Sequence, residues 1–331
     1  MRSKYLWLGL LAVLWVLASV VVGEFALRWF SKDKLPIVLD ERNLTYRFDQ
    51  RLGWFPREDS EGILVDANGI LIHYHHNHEG FRDREHGEKR GKRVAFIGDS
   101  FVWGFDVEAP ERFTDKVQAG LPDWEVFNLG VSGYGTDQEF LLLVDVFQRV
   151  KPDVVILLFC PNDYEDNAFN QRYGGYYKPY FERVGNTLQL KGVPVPKSVN
   201  YYYSRFPRLA IRSCLFRGVL TAWSRLTQPK VVMQKGTTFA LLHGINEFVR
   251  SRSATLVVSS VTYDPAVEGF CKNEGIPYMK LPNIPYNKSW HWNPEGHTTV
   301  ARVFLDSFAQ SGNFGAGSKT GAIGSPPPKL K

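Results

Sequence analysis

Four short stretches hold the residue types that acyl transfer requires. They are Gly98-Asp99-Ser100, Asn128-Leu129-Gly130-Val131-Ser132-Gly133-Tyr134-Gly135, Pro161-Asn162-Asp163 and His291-Trp292-Asn293-Pro294-Glu295-Gly296-His297. A serine hydroxyl is a poor nucleophile at neutral pH and needs a neighbouring base, a task suited to an imidazole with a pKa of about 6.5. The tetrahedral adduct then carries a negative oxygen that needs preorganised donors. The backbone N–H of Ser100, the backbone N–H of Gly133 and the side-chain amide of Asn162 can supply them. A side chain at 133 would crowd a substrate, and the Asn162 amide donates without adding charge. Gly-Asp-Ser alone is a common tripeptide, and a turn serine is more often a helix cap, so the weight lies in the four stretches together.

These stretches need a scaffold that brings them to one edge. Arg93 to Ile97 has the length and branching of a buried parallel strand, with Gly98 turning at its carboxyl end. The chain then alternates: helix Glu111 to Gly120, strand Glu125 to Leu129, helix Asp137 to Val150 and strand Asp153 to Cys160. After a lapse it resumes with helix Phe239 to Arg252, strand Ala254 to Ser259, helix Ala266 to Glu274, strand Pro277 to Leu281 and helix Asn293 to Phe308. Such βα units build a parallel sheet, whose strand ends open on the ligand-binding edge.

The motif order Gly-Asp-Ser, Asn-x-Gly-x-x-Gly, Asn-Asp, His-x-Asn-x-x-Gly-His resembles the SGNH (GDSL-type) hydrolases over Arg93 to Ala309. The preceding Asn77-His78-Glu79-Gly80-Phe81-Arg82-Asp83 resembles the lead-in of membrane-anchored bacterial members. The resemblance implies an α/β fold, a flavodoxin-like three-layer α/β/α sandwich with a central parallel sheet, and ester hydrolysis or acyl transfer without cofactor or metal. It implies Ser100 as nucleophile and oxyanion donor, Gly133 and Asn162 as the other donors, and His291 as base. His297 falls inside the last helix and reads as structural. Asp99 and Asp163 read as loop hydrogen-bonders. The family normally carries an aspartate two or three residues before the histidine, but Lys288, Ser289 and Trp290 stand there. Three readings stay open: a Ser-His dyad held by Ser289 or a backbone carbonyl, an acid from elsewhere with Asp264 as candidate, or a degenerate site that binds glycan.

The remaining chain sets the context. Met1 to Lys34 carries an uncharged run from Tyr5 to Gly23, which at ~1.5 Å per residue nearly crosses a hydrocarbon core of about 30 Å. A single-pass anchor fits best, with a cleaved signal peptide as the alternative. Arg2, Lys4 and the amino terminus face Arg28, Lys32 and Lys34 across the run; the favoured orientation puts the short tail inside and the body in the periplasm or outside a bacterial cell. Residues 35–90 read as a β-rich lead-in, with His73, His75, His76 and His78 split between two strand faces rather than converging on a metal. The main domain is expected over 91–310, with an insertion at 164–235. Its tyrosines (Tyr173, Tyr176, Tyr177, Tyr180, Tyr201, Tyr202 and Tyr203) suit either a sugar-stacking or membrane-facing surface or the apolar side of an ordinary insertion. Residues 311–331 read as a disordered tail. With 44% hydrophobic and 22% charged residues the chain supports a real core. A net charge of +6 with no long basic block argues against nucleic acid. Cys160, Cys214 and Cys271 have no metal-ligand spacing, and their odd number excludes a disulfide framework. The expected partners are the membrane and an acylated saccharide or other ester, with a lipid or thioester as the second enzymatic reading.

Overall fold

The computed structural model describes residues 2–310 apart from 38, 39, 67, 186 and 235, so the tail expected at 311–331 lies outside the described residues. The central sheet has five strands: β1 (Lys92–Gly98), β2 (Trp124–Asn128), β3 (Val154–Phe159), β4 (Thr255–Ser260) and β5 (Tyr278–Met279). All are parallel, in the order β2-β1-β3-β4-β5. This is the flavodoxin-like order, and the reversal between β1 and β3 is where such sheets open a crevice.

Both faces of the sheet are covered, which explains why β3 throughout and β1 from Val94 to Ile97 read as unbroken apolar runs. Val94, Phe96, Ile156 and Leu158 point into a cluster with Phe113, Val117, Val300 and Phe304. Those four come from α2 (Phe113–Gly120) and α7 (Pro294–Gln310). Ala95, Ile97, Val155 and Leu157 face the opposite cluster with Phe140, Leu241, Ile245 and Val267. Its helices are α3 (Thr136–Val150), α5 (Thr238–Arg250) and α6 (Pro265–Glu274).

Before the sheet, α1 (Arg2–Ser31) is one continuous helix, long and apolar enough from Lys4 to Ser31 to cross a membrane. Two antiparallel pairs follow, Tyr46–Asp49 with Gly53–Pro56 and Ser60–Val65 with Leu71–His76. In the second pair His73 and His75 are exposed while His76 is buried between Ser60 Oγ (3.1 Å) and Trp103 Nε1 (3.2 Å). Burial pushes the His76 imidazole down to about 3, so it stays neutral and accepts from the indole.

The lapse in alternation contains short antiparallel strands and several helices, the longest among the described residues being α4 (Cys214–Thr227). Six of the tyrosines weighed above, Tyr173 lying outside the described side chains, do not form an exposed aromatic surface. Tyr176, Tyr177 and Tyr203 are buried, and Tyr180, Tyr201 and Tyr202 half-buried. Tyr176 packs edge-on against Tyr201, whose hydroxyl donates to Gly53 O at 3.1 Å. The rings thus fasten the insertion to the lead-in.

Candidate active site

The nucleophile position sits at the mouth of the β1/β3 crevice. Asp99 caps the short helix Ser100–Trp103 by accepting from Phe101 N at 3.0 Å, which leaves Ser100 at its first turn. Ser100 Oγ lies 2.8 Å from His291 Nε2, joining residues 191 positions apart. His291 arrives on the loop before α7 and packs in tilted contact with Phe101 and Phe105, ring centroids at 5.1 and 4.7 Å. Two aromatic rings thus crowd the imidazole on the loop.

Its other nitrogen meets a short polar chain. Ser289 Oγ is 3.0 Å from His291 Nδ1 and donates to Asp106 Oδ2, which itself is 3.9 Å from Nδ1. Asn287 braces the assembly: its amide donates to Asp106 Oδ2 at 2.8 Å, and its carbonyl oxygen accepts from the backbone N–H of Ser289 and of His291. With Nδ1–H donating to Ser289 Oγ and Ser289 O–H donating to Asp106, Nε2 keeps its lone pair for the Ser100 proton. Ser289 is therefore where the dyad reading put it, and an acid from elsewhere is also present, but it is Asp106. Asp264 is a correction. Its carboxylate caps α6 by accepting from Ala266 N and Val267 N, and takes the Tyr164 hydroxyl at 3.0 Å. An aspartate before Pro at the start of a helix is committed to the free N–H groups there.

The oxyanion candidates line the same cavity, of about 700 Å³, as Ser100 and His291. Gly133 adopts φ +80°, and a Cβ there would run into the Arg42 guanidinium. Crowding at 133 thus comes from the protein itself, not only from a substrate. The turn is held from behind: Ser132 N donates to Tyr46 Oη (3.3 Å), Trp54 Nε1 to Ser132 O (3.2 Å), and Tyr134 Oη to Trp54 O (2.6 Å). Asn162 gives one amide N–H to Asp166 Oδ2 at 2.8 Å, and Asp166 is ion-paired with Arg172. That fixes the amide plane and leaves its second N–H for a ligand.

Beneath Ser100 lies a second acidic group. Asp99, Asp163 and Glu139 are buried, and burial pushes each carboxyl up, with mutual repulsion adding to it for Asp163 and Glu139. Asp163 accepts from Cys160 N at 3.1 Å and from Thr136 Oγ1 at 3.2 Å. Asp99 and Asp163 therefore hold loops, as read from the sequence. His297 sits on α7, buried, accepting from Phe113 N at 3.2 Å, and burial pushes it down to about 3. It does not reach the cleft.

Residues 96–298 match the GDSL-like Lipase/Acylhydrolase family. The chain belongs to that family. Ester hydrolysis through a serine is the chemistry this membership supports. Among solved structures the chain is similar to TesA (10% identity, TM-score 0.40, 66% of this chain and 99% of that one). It is also similar to a lipolytic G-D-S-L protein from Veillonella parvula (11%, 0.40, 66% and 100%) and to the psychrotrophic esterase EstA from Pseudoalteromonas sp. (10%, 0.38, 66% and 98%). No curated protein matches the sequence.

Sequence reasoning missed Asp106 and Asn287. Asp106 stands six residues after Ser100, in Gly104-Phe105-Asp106, on the segment leaving the nucleophile helix. An acid that close to the motif serine was the available signal.

Proposed function

We propose that this protein is an envelope-anchored serine esterase or acyltransferase acting on an acyl group, O-acetyl in the first instance, carried by a surface carbohydrate. The observation that carries the reaction class is the 2.8 Å approach of Ser100 Oγ to His291 Nε2, with Ser289 and Asp106 behind the ring. Ser100 Oγ attacks the acyl carbon as its proton passes to Nε2. The carbonyl oxygen becomes an oxyanion held by Ser100 N–H, Gly133 N–H and the Asn162 amide, and each such donor typically contributes about 3–4 kcal/mol to lowering the barrier. Collapse expels the alkoxide, which takes the proton from Nε2, leaving acyl-Ser100. Water or a sugar hydroxyl then gives its proton to Nε2 and attacks the acyl carbon, and Ser100 leaves with that proton. The imidazolium is stabilised through Ser289 by Asp106.

The saccharide reading is supported by the cleft rim. Trp290, between Ser289 and His291, adopts φ +66° and is 81% exposed beside the cavity. An indole held in the open next to a catalytic loop offers a stacking face to a sugar ring. The anchored, outward-facing placement is supported by the length and apolarity of α1 and by Arg2 and Lys4 on its short side.

The test uses the full chain in detergent, with p-nitrophenyl acetate and a fluorophosphonate probe. Label on Ser100 and ester turnover are expected, with both lost in Ser100→Ala by roughly 10⁴-fold or more. Wild-type protein that neither turns over ester nor takes the probe would instead favour the glycan-binding reading. Adding O-acetylated oligosaccharides with and without acceptor sugars then separates hydrolysis from transfer.

A further inference from the structure

The apolar run from Tyr5 to Gly23 covers about 28 Å at ~1.5 Å per residue, so a membrane spanned by α1 ends near Glu24. Glu24 is also the residue that ties α1 to the insertion. Its carboxylate accepts from Ser213 Oγ (2.8 Å), Cys214 N (3.0 Å) and Leu215 N (2.9 Å), capping α4, and Arg28 donates to Arg212 O at 2.6 Å. Leu27 packs over Gly218. These contacts fix the start of α4 at the depth where hydrocarbon gives way to headgroups.

What α4 and the segment before it leave uncovered is apolar and basic. Val219, Trp223 and Leu226 recur at helical spacing and are exposed, Leu226 by 86%. Phe206, Leu209 and Ile211 are exposed on the preceding turns. Between them stand exposed Arg205, Arg208, Arg212 and Arg225. From Arg183 to Asn246 the chain has ten Lys and Arg and no Asp or Glu, so the remainder of the protein is net negative. Thus the formal +6 is concentrated in one segment rather than spread over the chain.

We propose that residues 205–226 form a monotopic docking surface that lies in the headgroup region of the bilayer α1 spans, with Val219, Trp223 and Leu226 dipped into the acyl boundary and the arginines paired with anionic lipid. Two features select lipid as the occupant: the surface continues from a helix of membrane-crossing length, and its charge complements anionic headgroups, worth roughly a fivefold gain per arginine near such a surface. An interfacial tryptophan suits that depth. Docking would restrict the swing of the body about its anchor and hold the cleft at a set orientation to the membrane.

This rests on the anchor reading, and the test separates the two. The native cysteines are buried, so a hydrophilic maleimide fluorophore reports an introduced one. Full-length Leu226→Cys and Lys272→Cys are labelled in nanodiscs of phosphatidylcholine with and without phosphatidylglycerol. Lys272 is an exposed position on α6. We expect the label at 226 to be quenched by lipids brominated high on the acyl chain and to resist aqueous iodide at least about threefold better than that at 272. Replacing Arg205, Arg208, Arg212 and Arg225 by Gln removes the advantage of phosphatidylglycerol discs. A label at 226 open to iodide overturns the proposal, as does one shielded without lipid quenching, which would indicate a protein partner. Alkaline washing of expressing membranes reports the anchor by itself. A chain that leaves with the wash removes the anchor reading and docking together, whereas a retained chain with an open 226 label removes docking alone.

Discussion

Two groups of carboxyls flank Ser100, and their environments oppose each other. On the rim, Asp106 meets three donors or near-donors: the Asn287 amide, the Ser289 hydroxyl and, at 3.9 Å, the His291 ring. On the floor, Glu139 has neither carboxyl oxygen hydrogen-bonded among the described residues, and Asp99 and Asp163 are buried beside it. A carboxylate supports an imidazolium only if it stays ionised when the proton arrives. Donors converge on Asp106, while on the floor burial, with like-charge repulsion at Asp163 and Glu139, favours the neutral carboxyl. Nearness to the nucleophile therefore does not decide which acid serves the base. The supply of hydrogen-bond donors does, since Asp106 is itself buried.

The largest test of this contrast is Asp106→Asn. It keeps the shape of the side chain but removes the charge behind His291, and loss of the comparable acid in a serine triad costs about 10⁴-fold. Because Ser289 stands between ring and acid here, we expect kcat to fall by roughly 10³-fold with KM nearly unchanged. Steady-state kinetics on p-nitrophenyl acetate decide it, and a fall of less than tenfold would leave His291 without an acid partner. Ser289→Ala comes next. It removes the bridge and leaves Nδ1–H facing Asp106 across 3.9 Å. A hydrogen bond to a charged group is worth about 1.5–3 kcal/mol, so kcat should drop about 10- to 100-fold. If Ser289→Ala matched Asp106→Asn, the hydroxyl would be the essential contact and the acid would act only through it. A Ser289→Ala/Asp106→Asn double variant no worse than Asp106→Asn alone would show that the two act as one unit.

How far the sequence disclosed this arrangement depended on whether a signal was local. The βα alternation was local, and helix α3 begins within one residue of the expected Asp137 start because Gly135 and the acidic first turn mark it. Ser100, Gly133, Asn162 and His291 were readable because each sits in a short motif at a strand or loop end. Asp106 was not. Its role depends on Asn287 and Ser289, 181 and 183 residues away, being brought to it, and closeness to Ser100 in the sequence does not by itself encode that meeting. Helix α2 shows the same limit on a smaller scale: Glu111 belongs to a separate 3₁₀ turn, Ala109–Glu111, whose capping box with Glu108 resembles a helix start. The insertion was legible only as a break in pattern. Arg42 and Tyr46, which brace the Gly133 turn from the lead-in, belong to a stretch with no motif.

The smallest effect on catalysis is expected on the floor, where Glu139→Gln substitutes a neutral isostere for a carboxyl that the fold keeps protonated. Activity should stay within about threefold, because the residue touches no reacting atom and only lines the support of Ser100. Stability should respond in a pH-dependent way, with a sign fixed by linkage. The folded protein holds the Glu139 proton above the pH at which an unfolded glutamate releases it, so the unfolded state binds fewer protons and wild-type stability falls as pH rises above the ordinary carboxylate range. The glutamine variant lacks that loss. Thermal unfolding should therefore show Glu139→Gln gaining on wild type from pH 5 to pH 8. A Glu139→Gln difference that stays flat with pH, or a collapse of turnover, would mean that the floor acid is ionised and that the contrast between floor and rim is wrong.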